Sequence, residues 1–383
     1  MLIASLKQMY KNFSPSCSTS KGFTLIELMV GLAVSLILTV IMYQMFANDE
    51  LRNRRMTDVS AQTQNSGLAL LMLERHIRNA GAGFATVDPA SSSPLLNSAL
   101  GCQLTTTAGT FSFAPINVRN GADGATTDSL DVMYGTGAKN TLPYAVDAVA
   151  GGGLTLTLKN TQGIAINDWV LVANAATAGS TCYIAKVTAT ALNAASNNTI
   201  YGSITIDSAV TAGVTTYQVF NLGPSPQLLR FALNSTGNAL MQTNLLTNAV
   251  SVFADNVVNF QIQLGVDTNT DNVTDSWSEP PASIVPPATR GTTLAAGSIG
   301  FNQIKLLRVG IVTRNEVAEV PTGASCTTAG STAPAVLPAQ NAVGTVPAMP
   351  TSVAYTYSGK ALCYRYRTSS MLMPIVNLIN NNF

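Results

Sequence analysis

Two stretches of this 383-residue sequence gather side chains able to do chemistry. The first is Lys21-Gly22-Phe23-Thr24-Leu25-Ile26-Glu27, followed by Leu28 to Asn48 without a charged side chain. A carboxylate inside an apolar helix is unfavourable by roughly 2.5–3.5 kcal/mol even on lenient insertion scales. Glu27 therefore calls for a cationic partner, since a paired charge is far less unfavourable there than a lone one. The second stretch is Asp267-Thr268-Asn269-Thr270-Asp271-Asn272-Val273-Thr274-Asp275. Asp267, Asn269, Asp271 and Asp275, with the Val273 carbonyl, have the spacing by which oxygen ligands surround calcium. Asn272 stands where such loops use glycine, and Glu279 falls one place beyond the usual bidentate position, which Ser278 occupies. A polar hairpin turn without an ion is the alternative.

Other chemistry is sparse. There is no Gly-x-Ser-x-Gly elbow, no Walker loop and no histidine cluster. His76 is the only histidine; on a charged helix face it is expected to be solvated, and alone it cannot build a zinc site. Gly151-Gly152-Gly153 reads as a turn, because no helix follows to hold a phosphate. The expectation is a protein that is not an enzyme and requires no cofactor. Of five cysteines, Cys17 would leave with a leader cut at Gly22. Cys102, Cys182, Cys326 and Cys363 remain, in a segment expected to meet an oxidising compartment. Three pairings are open, nearest-neighbour pairing among them, and buried free thiols are the alternative.

Charged residues make up 10% of the chain and hydrophobic ones 46%, against roughly 25% charged in ordinary soluble domains. With a formal net charge of +1 there is no basic excess to hold phosphates, so no nucleic-acid partner is expected. The first 22 residues carry Lys7, Lys11 and Lys21 and no acid, the character of a segment that stays cytoplasmic.

The elements that must position these groups follow from periodicity. About 20 apolar residues cross a bilayer, so residues 23–48 are expected to form a transmembrane helix with the following residues outside. A secretory signal peptide would end in a small-residue cut site, which Tyr43-Gln44-Met45-Phe46 does not offer. A plain signal anchor leaves Glu27 unexplained. Gly31-x-x-x-Ser35 gives a small face for close helix approach, or simple tolerance. Leu70, Leu73 and Ile77 recur at helical spacing, and Ala80-Gly81 offers a cap. Phe23 to Ala80 would make a helix of roughly 85–90 Å, its second half lying on a sheet. After Gly83 the pattern is β-rich. Strands are expected at 130–134, 154–158, 169–173, 183–188, 200–206, 216–220, 227–233, 257–264, 304–313 and 361–366. Long loops are expected at 85–128, 279–298 and 321–351.

Lys21 to Glu27 resembles the class III signal of type IV pilins and type II secretion pseudopilins. That resemblance implies cleavage by a prepilin peptidase between Gly22 and Phe23, methylation of the Phe23 amine, and an assembly role for Glu27. Leu73-Glu74-Arg75-His76-Ile77-Arg78-Asn79-Ala80-Gly81 is similar to the helix end of the PilW group of minor pilins. Gly265-Val266-Asp267 and Tyr364-Arg365-Tyr366-Arg367 also resemble that group, whereas Pro374-Ile375-Val376-Asn377 lacks the arginine expected there. The resemblance implies an α+β type IV pilin-like fold: a leader over 1–22, a helix over 23–80, and an antiparallel β-rich head over 81–383. It implies an inner-membrane protein with a periplasmic head, later at the pilus tip. Its partners would be other minor pilins, the major pilin, the prepilin peptidase and the inner-membrane assembly platform. Such a pilus could serve twitching motility, cell adhesion or DNA uptake. A type II secretion minor pseudopilin of the J kind and a tip adhesin or DNA-uptake pilin are the alternatives.

Overall fold

The computed structural model describes residues 22–84, 99–121, 127–137, 142–174, 181–192, 201–212, 214, 216–269, 271–280, 284–285, 299–316, 336–342, 347–349 and 363–379. Two compact units are present, Met1–Thr57 and Asp58–Phe383. A single α-helix, Leu25–Asn79, contributes to both. In the first unit every described side chain is exposed. Leu25–Glu50 is the one helix segment among the described residues long and apolar enough to cross a membrane. Its 26 residues reach about 39 Å, against about 30 Å of hydrocarbon. Its serine and threonine hydroxyls are satisfied within the helix: Ser35 donates to the Leu32 carbonyl and Thr39 to that of Leu36. Polar groups in hydrocarbon need such partners.

In the second unit the helix becomes one-sided. Gln62, Ser66, Ala69, Leu70, Leu73 and Ile77 are buried, spaced three or four residues apart save for the neighbours Ala69 and Leu70, as one helical face requires. Gly81, at φ 82°, ends the helix in the left-handed conformation that glycine adopts without penalty, and its N–H donates to the Met133 carbonyl. The stripe enters one hydrophobic core shared with two sheets. The five-stranded sheet has the order Val250–Asp255, Ala239–Asn244, Gln227–Leu233, Ser129–Tyr134, Ile116–Arg119, antiparallel throughout. The four-stranded sheet runs Ser276–Ser278, Val257–Val266, Ile304–Arg314, Tyr366–Pro374, also antiparallel. Val257–Val266 is buried along its whole length. Its Gln263 side chain donates to Glu279 and accepts from Arg308, which also donates to the Pro338 carbonyl.

A further eight strands pair in the order Gly109–Ser112, Gln103–Thr106, Thr181–Leu192, Trp169–Asn174, Tyr217–Gly223, Tyr144–Ala150, Thr155–Leu158, Gly202–Ile206. The long strand Thr181–Leu192 pairs through its first half with Trp169–Asn174 and through its second with Gly202–Ile206. Six of these strands thereby close into a ring with its own core, built from residues such as Val146, Leu156, Val172, Val187, Ile204 and Val219.

Most expected strands are present, with Gln227–Leu233 and Ser129–Tyr134 within a residue of their expected bounds. The expected loop over 85–128 instead contains three strands, Gln103–Thr106, Gly109–Ser112 and Ile116–Arg119. Each has only four residues, too few to show an alternation against their threonines and glycine. The last strand is Tyr366–Pro374 rather than 361–366, because Tyr366 pairs with Arg314 and the ladder runs on to Pro374 opposite Leu306. The expected loops over 279–298 and 321–351 lie largely outside the described residues.

Leu73 is 1% and Leu71 58% exposed on the same turn. Leu73→Ala is therefore expected to destabilise the head by about 2–5 kcal/mol. Leu71→Ala should stay within about 0.5 kcal/mol. Urea unfolding of the full-length protein in detergent, followed by Trp169 and Trp277 fluorescence, measures both.

Candidate functional site

The first turn of the long helix holds the carboxylate that the apolar span leaves isolated. Thr24 precedes the helix, and its N–H and hydroxyl both donate to Glu27 Oε2, at 3.0 and 2.9 Å. The Glu27 N–H returns a bond to Thr24 Oγ1 at 3.3 Å. This reciprocal arrangement is a capping box, which satisfies N–H groups that a helix start leaves without intrahelical partners. The helix dipole also favours an anion there. The sequence reading missed the role of Thr24, although Thr-x-x-Glu ahead of an apolar run is the signal for it. Both contacts fall on one oxygen, so Oε1 remains for a second donor.

Gly22 and Phe23 precede this turn and are exposed. A Cβ built on Gly22 meets nothing within 4 Å, and its backbone is not left-handed. Nothing in the described chain demands glycine at this position, so any such demand comes from outside it, as from an enzyme that grips the segment. Gly31 is equally open. Cys17 and residues 1–21 lie outside the described residues.

The expected calcium loop is closed by its own groups. The Asn272 N–H donates to Asp267 Oδ2 at 2.8 Å, and the Val273 N–H to Asp271 Oδ1 at 2.7 Å. Asp275 Oδ2 accepts from the N–H and hydroxyl of Thr268 and from the N–H of Asn269. The Thr268 contacts hold the Asp275 carboxyl below the usual carboxylate range. Asn269 bridges the Asp271 and Asp275 side chains through its amide nitrogen. Asn272 takes the left-handed conformation, at φ 67°, as expected of the residue standing in for glycine. The cation facing the buried Asp267 is Lys305: its ammonium lies 3.8 Å from Asp267 Oδ2 and donates to Asn272 Oδ1 at 2.9 Å. Among the described residues, no group of three or more His, Cys, Asp or Glu side chains is disposed to hold a metal ion. An ammonium thus stands beside Asp267 and Asn272, two residues of the loop.

His76 is not solvated as expected but half-buried. Its Nδ1 shares a hydrogen bond of 2.9 Å with the Tyr134 hydroxyl, and its ring packs 5.6 Å from that of Phe231. Burial holds the imidazole below the usual histidine range, and the charge of Arg75 adds to this. The histidine lines an open groove of about 730 Å³ with Met72, Arg75, Asn79, Tyr134 and Gln227 among its walls.

Cys102 and Cys182 are joined in a disulfide. Cys363 is disulfide-bonded as well, and Cys326 lies outside the described residues. Tyr364-Arg365-Tyr366-Arg367 is engaged within the fold. Arg314 sits 4.4 Å above the Tyr364 ring, and the Arg365 backbone exchanges hydrogen bonds with Asn315.

With this geometry in view, residues 17–43 match the prokaryotic N-terminal methylation motif. No curated protein and no solved structure matches the chain. The motif is the type IV pilin-like prepilin signal, and with the apolar helix it supports a type IV pilin or pseudopilin. It implies processing by the prepilin peptidase and association with a membrane.

Two tests follow from the head. Lys305→Met removes the cation beside the buried Asp267, leaving it the Asn272 N–H, and should destabilise by about 3–5 kcal/mol. Millimolar calcium should leave the wild-type melting temperature unchanged; a rise with calcium would restore the loop as a cation site. For His76, a folded pKa below about 6.5 means that the unfolded chain takes up the proton first as pH falls. Its contribution is present above about pH 6.5 and is lost as pH falls through the lowered value. Asp128, pushed up to about 6 by burial, works in the opposite sense and is common to wild type and variant. Urea midpoints at several pH values should therefore show a steeper acid loss in wild type than in His76→Gln.

Proposed function

We propose that this protein is a minor pilin of the PilW kind, which joins other minor pilins in the complex that primes and tips a type IV pilus. The observation that carries the reading is the joining of a prepilin signal to a head with two hydrophobic cores. A head of that bulk is awkward in a tightly packed shaft and tolerable at a tip. The helix delivers the subunit to the inner membrane with its N-terminus cytoplasmic and its head periplasmic. After cleavage between Gly22 and Phe23, the methylated amine of one subunit meets Glu27 of the next. In hydrocarbon this pairing makes the assembled state better than the isolated one. The capping box adds a detail: Thr24 holds Glu27 at the helix start, with Oε1 left for the incoming amine. The protein performs no catalysis and needs no cofactor in this role. The major pilin is added beneath the complex by the assembly platform.

The reading is tested in a strain lacking the gene, by the amount of surface fibre sheared from the cells beside the secreted enzyme activity. Loss of fibres with secretion intact supports it. Intact fibres with blocked secretion would move the protein to the type II pseudopilins. Glu27→Ala restored to that strain should be cut normally and leave fibre yield at least tenfold down. Normal piliation in that variant would sink the charge-pair account.

A further inference from the structure

The six-stranded ring is an excursion out of a single strand connection. Ser129–Tyr134 and Gln227–Leu233 pair directly, with Tyr134 opposite Gln227. The ring strands, from Tyr144 to Gly223, all fall between them in sequence. The chain leaves and returns through a narrow neck. The Thr136 N–H donates to the Leu222 carbonyl, and the Ser225 N–H to the Thr136 hydroxyl. Gly223, at φ 79°, approaches so closely that a Cβ there would lie 2.5 Å from the Gly137 nitrogen. Only glycine fits both the conformation and the space.

The ring has an interior of its own. Along Trp169–Asn174, Val170 and Val172 face that interior while Leu171 and Ala173 enter the main core. Along Tyr217–Gly223, Tyr217 and Val219 face inward while Phe220 and Leu222 enter the main core. Period-two alternation thus gives the ring one inner core and one docking face. Its other attachment runs through Thr181–Leu192. Gln103 and Leu104 pair in parallel with Thr181 and Cys182, and the Cys102–Cys182 bridge closes beside them. Cys102 belongs to the base: its carbonyl accepts from the Phe113 N–H, and Thr106 on its strand donates to the Leu245 carbonyl. Both sulfur-bearing residues are buried, at 0% and 2% exposure.

We infer that the head is a two-part device, in which a separately cored β-ring hinges at the Gly137–Gly223 neck and is latched to the base by Cys102–Cys182. With the latch closed, the ring is fixed at the neck and again at the far side of its docking face. With the latch open, the docking face is held, among the described residues, by apolar contact and two residue pairs, while the inner core keeps every one of its strands. The bridge thus sets the orientation of the ring on the base without holding the ring itself together.

The test is hydrogen exchange on the full-length protein in detergent, wild type against the double variant Cys102→Ala/Cys182→Ala. Amides of Gln103–Thr106 report the latch side. Those of Thr155–Leu158 and Gly202–Ile206, which pair only within the ring, report the inner core. The expected result is exchange at least tenfold faster at Gln103–Thr106, with the ring strands within twofold of wild type. Equal acceleration at both sets would make the head one cooperative unit and overturn the inference. No change at Gln103–Thr106 would overturn it too, since the bridge would then hold nothing. Should the double variant fail to accumulate, the same readout is taken on folded protein before and after reduction. A Cys363→Ala background then ensures that only this bridge opens, and loss of protection in both sets on reduction would again overturn the proposal.

Discussion

Glu27 is the constraint around which the N-terminal part makes sense. It is the only acid between Met1 and Asn48, and it sits in the first turn of a span otherwise fit for hydrocarbon. An unpaired carboxylate there opposes membrane residence. The capping box with Thr24 relieves part of that opposition within the subunit, using one of the two oxygens. The remainder calls for a cation supplied from outside the helix. A neighbouring subunit with a free amine at Phe23 would supply it, which is how a local electrostatic problem can drive assembly. The match to the N-terminal methylation motif covers these residues and no part of the head.

The head answers a different constraint. From Gln62 onward the helix buries one face, so it needs a surface to rest on. The five- and four-stranded sheets contribute to the same core as that face. Buried charges there form pairs: Asp131 takes Arg119 and Arg230, and Lys305 takes Asp267. The β-ring is an addition to that scheme, because its strands leave from and return to two neighbours of one sheet. An insertion at such a point disturbs no pairing of the parent sheet, which explains how a large head accommodates it.

What the sequence disclosed tracks how local each interaction is. The apolar span and the stripe of Leu70, Leu73 and Ile77 were legible because helical periodicity is written within a few residues. Strands such as Gln227–Leu233 were legible for the same reason. The closure of the ring was not, since it depends on Thr181–Leu192 turning from one partner to another, a long-range event that no local pattern encodes. His76 was misread because its neighbours in sequence are charged, whereas its neighbours in space are Tyr134 and Phe231. The acidic loop likewise meets a partner that its own stretch of sequence does not show. Its spacing is that of a calcium ligand set, but the cation beside Asp267 is Lys305, distant in sequence. Thr24 was legible and overlooked, its spacing to Glu27 being the ordinary capping signal.

The central claim is that this chain enters the membrane as a prepilin and is cut on its cytoplasmic side. Mass spectrometry of the N-terminal peptide of the protein recovered from its native membrane tests it most directly. The account predicts a chain that begins at Phe23 and carries a methylated amine. An N-terminus still including residues before Phe23, or one beyond Phe46 as a secretory signal peptide would leave, would contradict it.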